Sequence, residues 1–138
     1  MKVYLLVGCP GSGKSWVANQ LRGLMDYIPH DNFIKSETAY LPHIFAHLKA
    51  KTDKKPVLIE SPFSISQLKD PLEQRGVNVE VVFIQEHDHI LKSRYENREG
   101  KPIPAGHLTR QRTYAERAKE YGSFSGTSQQ VLELLKSK

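Results

Sequence analysis

Apolar residues recur along this chain in two rhythms. Short, nearly unbroken runs rich in β-branched residues occur at Val3-Tyr4-Leu5-Leu6-Val7, at Pro56-Val57-Leu58-Ile59 and from Val77 to Ile84. Runs of that length without strict alternation are the pattern of strands buried on both faces. Tyr27-Ile28-Pro29-His30 and Ser123-Phe124 are shorter candidates of the same kind. Between the runs, apolar positions return every three or four residues, which is helical spacing. Trp16, Val17, Leu21 and Leu24 predict a helix over 14–24 that packs Trp16 against the sheet; Leu41, Ile44, Phe45 and Leu48 predict one over 35–50. Ile65, Leu68 and Leu72 continue the helical rhythm, but Pro71 is costly inside a helix. Asp70-Pro71 therefore reads as the cap and first residue of a second short helix ending at Gly76. Further helices are expected over 88–97 and 107–121, and a last one carries Val131, Leu132, Leu134 and Leu135.

Strands alternating with helices imply an α/β fold of three layers, with a central, mostly parallel sheet of about five strands. Ligands in such open sheets bind beyond the carboxyl ends of the strands. The residues that follow each strand are thus the first to test for chemistry.

Gly8-Cys9-Pro10-Gly11-Ser12-Gly13-Lys14-Ser15 follows the first strand and opens the first helix. The spacing is that of a P-loop. Its glycines let the backbone curl and aim N–H groups at phosphate oxygens. The helix start adds partial positive charge. Lys14 is expected to reach the β- and γ-phosphates, and the Ser15 hydroxyl to ligate Mg²⁺. The expected ligands are ATP and Mg²⁺, and the nucleotide site is expected to comprise Gly8, Cys9, Pro10, Gly11, Ser12, Gly13, Lys14, Ser15 and Trp16, with Arg94. No Asn-Lys-x-Asp motif for reading guanine is present. That directs the reading from GTPases to kinases, which close a basic lid over the phosphates. Arg94 and Arg98, four apart, share a helix face just before Gly100-Lys101-Pro102-Ile103-Pro104, so a lid is expected over about 94–106. The alternative is a pair of surface arginines.

Together these segments resemble the kinase domain of phage-type polynucleotide 5′-kinases, over Met1 to about Tyr121. The P-loop is similar, His30-Asp31-Asn32-Phe33 looks like the segment bearing the general base, and 94–104 looks like the lid. The resemblance implies a P-loop NTPase fold in one domain spanning 1–138. It also implies transfer of the γ-phosphoryl group to a polynucleotide 5′-hydroxyl, with Asp31 as base and Arg98 holding the group in transit. The chain departs from that family at Ile34-Lys35, where an arginine is usual, and at Glu60-Ser61, where an aspartate is usual.

Several residues carry two readings. Asp31 suits an N-cap as well as a base. Glu60 can support Mg²⁺ through water, contact the acceptor, or cap Ser64. His43 and His47 lie off their helix's apolar stripe and are expected in solvent; His87 and His89 lack a metal-ligand set. Cys9 is the sole cysteine, expected to pack beneath the loop rather than act as a nucleophile. The segment 126–131 resembles the strand-loop-helix that closes many nucleoside and nucleotide kinases, which gives the second acceptor class, a small nucleoside or nucleotide.

Charge bears on the acceptor. The net +5 arises wholly after Leu91: 1–91 holds ten Lys/Arg and ten Asp/Glu, whereas 92–138 holds ten against five. Such an excess suits a nucleic-acid 5′ end or other polyanion, or merely a solvated surface. The first apolar run is too short for a signal peptide or a membrane span, so a cytoplasmic protein without membrane partners is expected.

Overall fold

The apolar runs become a five-stranded sheet. A computed structural model describes residues 1–9, 11–30, 37–61 and 65–138. Its elements are β1 (Lys2–Val7), α1 (Lys14–Gln20), β2 (Asp26–Ile28), α2 (Glu37–Ala50), β3 (Val57–Glu60), α3 (Ser66–Gln74), β4 (Asn78–Ile84), α4 (Asp88–Glu99), α5 (Ala105–Tyr121), β5 (Phe124–Gly126) and α6 (Ser128–Lys136). The strand order is β2-β3-β1-β4-β5 and the strands run parallel. The three strands with the strongest apolar runs, β3, β1 and β4, occupy the middle, and the two three-residue strands form the edges. This follows from burial: β3 is buried throughout, β1 from Val3 onward, and β4 from Val81. Asp26 pairs with Val57 and Ile28 with Ile59, while Val82 pairs with Phe124 and Ile84 with Gly126.

The chain divides into two compact units, Met1–Leu5 with Arg22–Glu80, and Leu6–Leu21 with Val81–Lys138. In the first, Tyr40, Ile44 and Leu48 are the buried stripe of α2. The Tyr40 hydroxyl donates to the Glu60 carbonyl at 2.6 Å, with the Ile28 carbonyl at 3.3 Å as an alternative acceptor. One phenol thus satisfies backbone at the ends of two strands. Lys51 holds Asp26 and Asp53 together at the end of α2.

Pro71 corrects the expected helix break. It lies inside one continuous helix, α3. As the sixth residue it removes a backbone bond at a cost of about 3 kcal/mol. Ile65, Leu68 and Leu72 are all buried, at about 1.5–3 kcal/mol each. Keeping that apolar row intact outweighs the lost bond.

In the second unit, α1 packs on α6. The buried residues of α1 and its end are Val17, Ala18 and Leu21. Trp16 is 42% exposed and Leu24 54% exposed, contrary to the packing expected of them. The helix stops at Gln20. With 3.6 residues per turn, a face centred on Val17, Ala18 and Leu21 turns Trp16 outward. Helices α4 and α5 join through only 100–104, and the buried Gln111 donates to Asp88 at 2.8 Å, tying α5 to the start of α4. No helix among the described residues is long and apolar enough to cross a membrane.

Candidate active site

The loop after β1 lies wholly in the second unit, with α4, α5 and α6. Its curl is fixed by backbone. Gly11 has φ +83° and Gly13 φ +106°, conformations that a side chain resists. The Ser12 N–H donates to the Cys9 carbonyl at 3.0 Å, and the Val17 N–H to the Gly13 carbonyl at 2.9 Å, where α1 begins. Space is tight at two of the glycines. A Cβ on Gly8 would come 2.5 Å from Ser12 Oγ, and one on Gly13 would come 2.9 Å from Ser128 Cβ. The cradle requires glycine for reasons of room as well as torsion.

Lys14 folds back over this cradle, its Nζ donating to the Gly8 carbonyl at 2.8 Å. The ammonium is therefore held at the loop rather than extended from it. Ser15 is exposed beside it, so its hydroxyl is available to a metal arriving with phosphate. Among the described residues no group of three or more His, Cys, Asp or Glu is arranged to hold a metal ion. A magnesium ion bound here would be held largely by phosphate oxygens and water, in keeping with its preference for substrate phosphates and few protein ligands. The donor set fits that ion.

Cys9 lies under the loop at 1% exposure, its Sγ donating to the His107 carbonyl at 3.3 Å. Burial pushes the thiol up to about 11, against smaller opposing effects of Arg110 and Lys14. It is thus a protonated packing group at neutral pH, as its position suggested. His107, at the start of α5, meets Tyr95 edge-on with ring centroids 5.1 Å apart. Burial first, then the nearby cations Arg110 and Arg98, hold its imidazole below the usual histidine range.

The two arginines expected in a lid part company. Arg94 Nη1 donates to the Ser12 carbonyl at 3.1 Å and the Gly11 carbonyl at 3.3 Å, bringing α4 onto the loop. Arg98 is exposed; its Nε donates to Glu99 at 3.0 Å, and its guanidinium lies 5.8 Å from the Tyr95 ring. Of the residues assigned from sequence, Lys14, Arg94 and the loop are brought together, whereas Arg98, one turn away, is exposed and paired with Glu99. Pro10 and Asp31 lie outside the described residues.

Glu60 belongs to the first unit, where it is 7% exposed and accepts a hydrogen bond from the Tyr27 hydroxyl at 2.8 Å. His43 is exposed, and His87 and His89 stack on one another with centroids 5.7 Å apart.

One carboxylate at the loop was not anticipated. Glu86, buried at 8% exposure, accepts from the Ser128 N–H at 2.9 Å and the Ser128 hydroxyl at 2.7 Å, and lies 3.6 Å from Arg94 Nη1. Its signal was in the sequence: it stands two residues beyond the fourth apolar run, where open sheets keep their chemistry. Arg110 was missed as well, because the spacing of α5 does not reveal that it approaches Cys9 and His107.

The sequence matches no protein-family model. No curated protein matches it either. Solved structures do share its architecture. A gluconokinase from Sinorhizobium meliloti 1021 superposes with a TM-score of 0.52 at 21% identity, over 80% of this chain and 72% of its own. A shikimate kinase from Acinetobacter baumannii, solved with shikimate, superposes with a TM-score of 0.56 at 19% identity, over 99% of this chain and 93% of its own. At these identities the likeness is one of fold, a five-stranded parallel α/β sheet of the kind these P-loop kinases have.

Proposed function

We propose that this chain is an ATP- and Mg²⁺-dependent kinase that transfers the γ-phosphoryl group to a hydroxyl of a small molecule, a nucleoside, a nucleotide or another metabolite. The observation that carries the reading is the cradle itself: a glycine curl tight at Gly8 and closed to a Cβ at Gly13, with the Lys14 ammonium held 2.8 Å from the Gly8 carbonyl. A glycine loop at a helix start with a lysine folded over it is suited to a polyphosphate. The fold likeness supports the acceptor class, since both neighbours are kinases named for small molecules.

In this reading Lys14 leaves the Gly8 carbonyl to pair with the β- and γ-phosphates, and the Ser15 hydroxyl helps to hold Mg²⁺. The metal's contribution, when bound, is to offset the charge of the phosphate oxygens. Arg98 turns from Glu99 toward the transferring group, which its exposure permits. Asp31 accepts the proton of the attacking hydroxyl. A cytoplasmic setting belongs to the same reading.

The lid motif on its own points to a polynucleotide 5′ end. One observation keeps that second acceptor in view: the whole basic excess lies after Leu91, on the segment that forms α4, α5 and α6. Polynucleotide binding through phosphates weakens steeply with salt, whereas binding of a small neutral acceptor does not. The test is incubation with γ-labelled ATP, Mg²⁺ and a mixed pool of nucleosides, nucleotides, hydroxy acids and 5′-hydroxyl oligonucleotides. Label on a small molecule is the expected result. Label on the oligonucleotide, declining with salt, selects the second acceptor, and ATP binding without label on anything refutes the kinase reading.

A further inference from the structure

Resting on the nucleotide site just described, we propose that Glu86 is a positioning residue that holds the P-loop in its anion-binding shape through two other side chains at once. A single oxygen, Glu86 Oε1, accepts from the Ser128 N–H at 2.9 Å and the Ser128 hydroxyl at 2.7 Å, and faces Arg94 Nη1 at 3.6 Å. Each of those partners touches the loop. Arg94 Nη1 donates to the carbonyls of Gly11 and Ser12. Ser128 stands so close to Gly13 that a Cβ there would meet Ser128 Cβ at 2.9 Å. The loop is thus clasped between α4 and the start of α6, and the two arms of the clasp meet at one carboxylate.

The Ser12 carbonyl belongs to the same peptide group as the Gly13 N–H. Donation from Arg94 to that carbonyl fixes the plane of the peptide and polarises the N–H on its other end. An amide so held makes a stronger and better aimed donor to an anion. Arg94 alone would do this poorly, because its side chain is 43% exposed and free arginines sample many rotamers. The Glu86 side chain, at 6% exposure, supplies a fixed counter-charge. A carboxylate with so little access to water is retained only where donors converge on it, and here they converge from both arms. Glu86 touches no nucleotide in this scheme; it acts through Arg94 and Ser128.

The experiment is a double-mutant cycle read as ATP affinity, with Trp16, the sole tryptophan, as the fluorescence reporter or calorimetry in its place. Glu86→Gln and Arg94→Met should each weaken ATP binding by about tenfold, the scale of one charge-assisted hydrogen bond. The double variant should weaken it no more than either single change, because both remove the same clasp. A purely structural Glu86 would instead lower the unfolding temperature, leave ATP affinity unchanged, or combine additively with Arg94→Met; any of these affinity results overturns the proposal. If Glu86→Gln does not fold, Ser128→Ala is measured in its place, with a severalfold loss of ATP affinity expected and unaltered affinity overturning the proposal. Failure of the unaltered protein to bind ATP would defeat the nucleotide reading itself, a different outcome from normal binding that Glu86→Gln leaves untouched.

Discussion

His107 senses the charge around the loop. Its backbone holds Cys9, its ring meets Tyr95, and Arg110 and Arg98 bear on its ionisation. Burial and those cations disfavour the imidazolium, so its titration in the folded protein falls below the ordinary 6.5. The linkage is of the depressed kind: the folded state binds this proton less readily than the unfolded chain. The stabilising contribution is complete above about pH 6.5 and declines as pH falls through the folded value. Histidine NMR titration should show that low value, and saturating ATP should raise it, because phosphate offsets the arginines. A titration that ATP leaves unmoved would separate Arg98 and Arg110 from the nucleotide. Asp31 supplies the second prediction at this scale. Asp31→Asn should reduce phosphoryl transfer by about a hundredfold or more while ATP affinity stays close to that of the unaltered protein. Normal turnover would remove Asp31 from the mechanism.

Helix α6 shows what a local signal can fix. Thr127 and Gln130 form a reciprocal capping box: the Gln130 N–H donates to Thr127 Oγ1 at 3.3 Å, and the Thr127 N–H to Gln130 Oε1 at 2.9 Å. Thr127→Ala should cost about 1 kcal/mol of stability, read from denaturant unfolding. A loss indistinguishable from zero would mean that α6 is held by its buried row, Val131, Leu132 and Leu135, and by the Ser128–Glu86 bonds instead. Elements of this kind are legible because their causes lie within a few residues: the central strands, the glycine turn between β1 and α1, and Val131, Leu132 and Leu135 of the α6 stripe. The misses have longer-range causes. Pro71 looked like a helix start until the burial of Ile65, Leu68 and Leu72 was weighed against one lost bond. Trp16 looked like core, yet the face of α1 is set by what α6 covers, which no spacing reveals. Glu86 looked unremarkable because its partners, Arg94 and Ser128, lie eight and forty-two residues away.

For the whole molecule, the parallel sheet brings the end of its central strand to the P-loop, and among the described residues those that hold this loop, Arg94, His107 and Ser128, belong to the second unit. The fold was therefore legible from alternating apolar rhythms, and the glycine loop that opens α1 from one motif. The acceptor was not, since a hydroxyl-bearing ligand is selected by side chains from several loops rather than by any contiguous pattern. What the account most needs is a nucleotide held by the cradle. Equilibrium binding of Mg·ATP to the unaltered protein and to Lys14→Ala measures this directly. The account predicts saturable binding by the first and a loss of tenfold or more in the second, because a charge-assisted contact is removed. Equal affinities would contradict it and move the ligand away from Gly8 to Ser15.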